Sequence, residues 1–326
     1  MSYHLIFRCI DLSGISTQLD LDGVKRIEKI LTVAKSSYVS PFRKLSRLIQ
    51  DGSAQAQSNL KFLSLLKEPC LALSKSHPKD VPNQLTTIIR IIRIIWVNSP
   101  FYNTRERLTA LFRKLSNEII RICSQSISLK HIFDGHVKSS IETLNQCIEC
   151  CVKWKMIYRK TALSQHKYSE KGWVLDQSSI FAQVDAFVQR CRDLIEVCNC
   201  QIHFARWCDG EKTKMPILGG QRGPEISRSL LEIEETFNKN LNILINVEKA
   251  ILDVKNTSWH EEFSKFRTAV KELEVMVQNL IQSAFDTVRS VDDGVMLLDI
   301  FGHFSAREAI KRRVLNMILK LVKNSK

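Results

Sequence analysis

The feature that most constrains this chain is the spacing of its apolar residues, which recur every three or four positions over long stretches. Ile180, Val184, Phe187, Cys191, Leu194, Cys198 and Ile202 fall on one face of a helix, because about 3.6 residues complete a turn. Phe263, Phe266, Val270, Leu273, Val277, Leu280, Ala284 and Val288 repeat the pattern with nearly heptad regularity. Ile226, Leu230, Ile233, Phe237, Leu241 and Leu244 do so again, until Glu248 breaks the face. No run alternates with period two over a strand length. With 11 glycines and 7 prolines in 326 residues, turns are few and elements long, which disfavours a many-stranded β fold.

The periodicity predicts helices near 22–36, 40–50, 53–67, 84–98, 104–124, 138–160, 178–206, 224–254, 259–289 and 304–323. Breaks fall near 68–83, 161–177 and 207–223. Start signals agree with several of these: Ser40 precedes Pro41, and Asn103/Glu106 and Ser258/Glu261 have capping-box spacing. The 84–98 helix carries isoleucine on nearly all sides, so several neighbours should bury it. Arg90 and Arg93 then need an exposed edge or acidic partners. The fold class expected is all-α, an elongated row of antiparallel helical bundles resembling an α-solenoid.

Charge narrows the functional classes. The net charge is +14, a balance that invites nucleic-acid or acidic partners. Its distribution is uneven: 231–300 hold 13 acidic and 7 basic side chains, whereas 305–326 hold 7 basic and 1 acidic. RNA readers usually interleave aromatics with basic residues, and near the basic end only Phe301 and Phe304 occur. A basic helical module binding RNA or an anionic surface therefore stands as the alternative function. The start, MSYHLIFRCIDLSG, has too short an apolar run for a signal peptide. No stretch approaches the roughly 18 apolar residues of a membrane span, so a soluble protein is expected.

The motifs that tempt a chemical reading are weak. LGGQRGPEIS (218–227) offers glycines before a helix, but no Lys-Ser or Lys-Thr follows Gly223. Pro224 removes an N–H where an anion would bind, and Glu225 sets a carboxylate at the helix's positive end. The expectation is a helix start, with no cofactor. Ten cysteines include a CxxC at Cys147/Cys150 and a CxC at Cys198/Cys200, with His203 and Cys208 nearby. They sit on apolar helical faces and not in paired turns, so reduced core thiols are expected and no metal. Carboxylate pairs Glu234–Glu235 and Asp292–Asp293 are read as solvated. No catalytic residue is expected.

Four stretches carry a resemblance: SPFYNTRERLTALFRKLSNEIIRIC, SSIFAQVDAFVQRCRDLIEVC, GGQRGPEISRSLLEIEETF and ILDVKNTSWHEEFSKFRTAVKELEVMVQNLIQSAFDTV. They resemble the N-terminal tail of axonemal dynein heavy chains, in order-preserving blocks over about 10–312. The resemblance implies a row of helical bundles that joins intermediate chains, light chains and other heavy chains, and reaches microtubules indirectly in the ciliary axoneme. No membrane is expected among the partners, and nucleic acid is disfavoured by the scarcity of aromatics near the basic end. The ATPase modules of that family lie far downstream, outside this chain. On this reading 1–165 and 166–312 are two bundle regions of the tail, and 313–326 is a basic end that the resemblance leaves out.

Overall fold

A computed structural model describes residues 22–168, 173, 175–214, 222–246, 251–286, 288 and 290–324. The fold is all-α, as the periodicity predicts. In chain order the helices are α1 (Asp22–Val33), α2 (Val39–Leu63), α3 (Lys67–Ser74), α4 (Val81–Asn98), α5 (Arg105–Ser126) and α6 (Leu129–Phe133). There follow α7 (Val137–Tyr168), α8 (Gln177–Phe204), α9 (Gly223–Asn246), α10 (Ser258–Phe285), α11 (Val291–Phe301) and α12 (Glu308–Asn324). Between α8 and α9 lies a small antiparallel hairpin, β1 (Trp207–Cys208) and β2 (Glu211–Lys212), paired Trp207 to Lys212. Two-residue strands are too short to leave an alternating pattern, which is why the sequence shows only a break there.

Several boundaries differ from the sequence expectation for local reasons. The expected helices 40–50 and 53–67 are one helix, α2, because Gly52 stays helical. A glycine inside a helix costs about 1 kcal/mol against alanine but does not end it. The expected break at 68–83 contains α3, with Pro69 in its first turn, where a missing N–H costs nothing. Pro82 plays the same part in α4. The capping box expected at Ser258/Glu261 is not made: Thr257 is the cap position and the Ser258 hydroxyl instead donates to Asn256 Oδ1 at 2.7 Å. At α5 it is Thr104 Oγ1, not Asn103, that accepts from the Arg107 N–H. The Glu248 position lies outside the described residues.

The described residues divide into two compact units, 22–126 with 146–185 and 127–145 with 186–324, so α7 and α8 contribute to both. In the first unit, α4 buries Leu85, Ile88, Ile89, Ile92 and Ile95, while Arg90, Ile94 and Val97 face out. The exposed edge is therefore how Arg90 is accommodated. Aromatic rings fill the centre: Phe112 meets Trp154, Tyr158 and Trp173 at centroid distances of 6.1, 5.1 and 5.3 Å. Trp154 donates its indole N–H to Ser116 Oγ at 3.0 Å, which satisfies the polar tip of a buried ring.

In the second unit, α9 and α10 pack apolar faces together. Ile226, Leu230, Ile233, Phe237, Leu241 and Leu244 are buried on one, and Phe263, Phe266, Val270, Leu273, Val277, Ile281 and Ala284 on the other. Ile281, not the expected Leu280, follows Val277. The buried steps keep to an α-helical period and not to a strict heptad, which suits a globular helix face better than a supercoiled seam. Helix α11, in the expected gap before 304, crosses α12 where Gly294 leaves room: a Cβ there would lie 2.4 Å from Leu321.

Candidate functional site

The glycine-rich turn is the first candidate for chemistry. Gly219 and Gly220 fall outside the described residues; Gly223 opens α9 and is buried. Arg222 stands at the start of α9. Its guanidinium pairs with Glu225 at 2.8 Å (Nε to Oε2) and 2.9 Å (Nη2 to Oε1), and also donates to Ser283 Oγ at 3.2 Å. The Arg222 hydrogen bond holds the Glu225 carboxyl below its ordinary range, so a negative charge already stands in the first turn of α9. An incoming phosphate would meet that charge and no N–H from Pro224. Geometry and sequence agree that the turn starts a helix.

The cysteines come next. Cys147, Cys150 and Cys151 on α7 face Cys123 of α5, all buried. Cys147 Sγ lies 3.4 Å from Ser126 Oγ and 3.6 Å from the Cys123 carbonyl oxygen. Contact with the three α7 thiols and burial push the Cys123 thiol far above its usual range, so it stays protonated. Burial likewise raises Cys198 to about 12. Cys208, on β1, is half-exposed. Among the described residues no group of three or more His, Cys, Asp or Glu side chains is placed to hold a metal ion.

Charged networks are prominent polar features of the second unit. Glu234, read from sequence as solvated, is buried. It receives Arg206 at 2.5 Å and Lys212 at 2.6 Å, so it ties the β hairpin to α9. Burial works to raise its pKa, but the Lys212 and Arg206 hydrogen bonds outweigh that and leave it lowered. Asp293 is likewise structural: its N–H donates to Ser290 Oγ, whose hydroxyl donates back to its carboxylate at 2.7 Å. This reciprocal cap starts α11.

Arg307, within the basic stretch 305–326, is held by two carboxylates. It donates to Glu196 Oε1 of α8 at 3.0 Å and to Glu274 Oε1 of α10 at 2.6 Å. Its guanidinium also stands 5.2 Å from the Phe204 ring centre. Part of the basic excess of 305–326 is thus spent inside the fold. Nothing in the sequence marks Arg307 apart from its neighbours, because its acidic partners are 111 and 33 residues away.

Exposed apolar side chains occur on most described helices, among them α1, α2, α11 and α12. Helix α1 buries none of its residues. Ile27, Ile30 and Val33 on α1, Tyr38 beside it, and Leu45 and Leu48 on α2 are all exposed. Two open grooves of about 710 and 580 Å³ lie on these helices, the first lined by Lys25, Arg26, Lys29 and Arg43 with Val33, the second by Arg43, Lys44 and Arg47 with several serines and Leu48. Arg43 joins the two helices by pairing with Glu28 at 2.8 Å. No described helix is long and apolar enough to cross a membrane.

The family model "Dynein heavy chain, N-terminal region 1" matches residues 6–326, including the basic end that the sequence resemblance leaves out. The chain is 45% identical over 307 residues to the Dynein-1-beta heavy chain of the flagellar inner arm I1 complex of Chlamydomonas reinhardtii. It is also 45% identical over 305 residues to Dynein axonemal heavy chain 2 of Homo sapiens. The Chlamydomonas reinhardtii Dynein beta chain, flagellar outer arm, is 26% identical over 308 residues. These matches cover 94, 94 and 93% of this chain but only 7, 5 and 6% of the relatives.

Proposed function

Because the chain belongs to the dynein heavy chain family through its N-terminal region 1, we propose that it is a non-catalytic tail segment of an axonemal dynein heavy chain. It acts as a scaffold for assembly and docking of the motor complex in the ciliary or flagellar axoneme. Its partners are dynein intermediate chains, light chains and other heavy chains, and microtubules are reached only through the complex. The observation that carries this reading is the 45% identity to axonemal heavy chains over 94% of the chain.

The described structure supports the same reading. The first turn of α9 carries the Arg222–Glu225 pair, the buried Glu234 holds hairpin and helix together, and exposed apolar residues on several helices offer surface to partners. ATP turnover tests the non-catalytic part. The purified chain is expected to release no phosphate from Mg-ATP above the blank. Turnover that disappears with Gly223→Ala would show that the turn binds nucleotide after all, and turnover insensitive to it would place a reaction centre elsewhere.

A further inference from the structure

Cys123, Cys147, Cys150 and Cys151 bring four buried thiols together within the first unit, and other contacts fix the register of the helices that carry them. Helices α5 and α7 run antiparallel. Phe112 meets Tyr158 edge-on at 5.1 Å between ring centres, and four residues further along α5 Ser116 takes the Trp154 N–H at 3.0 Å. Each step forward on α5 is thus matched by the same step back on α7. Seven residues beyond Ser116 is Cys123, and seven residues before Trp154 is Cys147, two helical turns on and on the same faces. The two thiols therefore stand opposite each other, and they are in contact. Ser126, Cys150 and Cys151 beside them are small, which lets the two helices approach closely. Cys150 and Cys151 touch Cys123 from the next turn of α7, out of that register, and neighbours in a helix such as these two do not face each other.

We propose that Cys123 and Cys147 are a redox pair, reduced at rest and closed by a hydroperoxide into a reversible disulfide that staples α5 to α7. Cys147 is the attacking group, since contact with the Cys123 S–H holds its thiol below the ordinary range against the opposing effect of burial. Its thiolate sulfur attacks one peroxide oxygen, the O–O bond breaks, and a sulfenic acid forms as hydroxide leaves. The Cys123 sulfur then attacks the Cys147 sulfur, the S–O bond breaks, and the hydroxyl departs with the Cys123 proton as water. Two thiols and one hydrogen peroxide thereby give one disulfide and two waters. Hydrogen peroxide is small enough to enter through a brief local opening between the helices, whereas a folded disulfide-bearing protein is kept out. The two cysteines are 24 residues apart, and the chain leaves the first unit after 126 and returns at 146. The bond closes that excursion at its base, which removes loop entropy from the unfolded chain and stabilises the fold.

The test treats the folded full chain with hydrogen peroxide, blocks the remaining thiols with N-ethylmaleimide in denaturant, and places linkages in the monomer fraction by tandem mass spectrometry. Cys123–Cys147 is expected as the predominant intrachain bond, both in the parent chain and in C150A/C151A. The oxidised chain should melt higher by roughly 5 °C or more, and dithiothreitol should reverse both the bond and the rise. C123A and C147A should each lose both effects, with circular dichroism of the untreated variants reporting that they fold. If either fails to fold, the linkage map of the parent chain decides alone. A bond from Cys123 to Cys150 or Cys151, sulfinic acid at Cys147 without a linkage, or a cluster still fully reduced after the half-exposed Cys70 and Cys208 are oxidised would each overturn the proposal.

Discussion

Gly135 shows how one residue ties together parts of the chain that sequence spacing cannot connect. Its φ is +84° and a Cβ would lie 2.3 Å from the Trp207 ring, while its carbonyl accepts from the Gly210 N–H at 2.9 Å. Gly135→Ala should therefore cost about 2–4 kcal/mol, combining left-handed backbone strain with overpacking. Chemical denaturation would measure it, and Trp207→Leu in the same chain should recover the overpacking share. His203 gives a second residue-scale prediction. Burial, then Arg307 and His303, lower its pKa to about 4, against a smaller opposing effect of Glu196. The unfolded chain takes up that proton near 6.5 and the folded chain near 4, so stability falls as pH drops through this window and levels below it. His203→Gln should flatten the slope of melting temperature between those pH values; an unchanged slope would refute the assignment. Such sites were hidden in the sequence, since an Arg307 bonded to Glu196 and Glu274 reads there as one more basic residue.

At the scale of elements, the legible parts were those governed by local rules. The apolar faces of α8, α9 and α10 were readable from i, i+3 and i+4 spacing alone, and so was Gly-Pro-Glu as the start of α9. What escaped was set by tertiary context: Gly52 continuing α2, the short α6 and α11, and a hairpin whose Arg206 and Lys212 find Glu234. Helix α10 offers the sharpest contrast between the two. Leu273 is 1% exposed, so Leu273→Ala should cost about 2–5 kcal/mol. Lys271→Ala, on the solvent side, should stay within about 0.5 kcal/mol. Glu274, also off the apolar stripe, instead receives Arg307 at 2.6 Å with only 15% of its side chain exposed. Glu274→Ala should thus fall nearer Leu273→Ala than Lys271→Ala in a urea titration, because a buried cation loses one of its two carboxylate partners. Equal tolerance at 271 and 274 would mean the ion pair contributes nothing.

For the whole molecule, the net charge of +14 is the feature most open to misreading. It invites a nucleic-acid function, yet Arg307, Arg206 and Lys212 are tied to carboxylates within the fold. Family membership and the all-α architecture point instead to assembly. The measurement that tests this most directly is affinity purification of the tagged chain from ciliated cells at physiological salt, with quantitative mass spectrometry against a tagged helical protein of similar charge. The account predicts that axonemal dynein heavy and intermediate chains are enriched with the chain over that control, and that nuclease treatment leaves the enrichment unchanged. Recovery of nuclease-sensitive ribonucleoproteins with no dynein subunit above the control would contradict it.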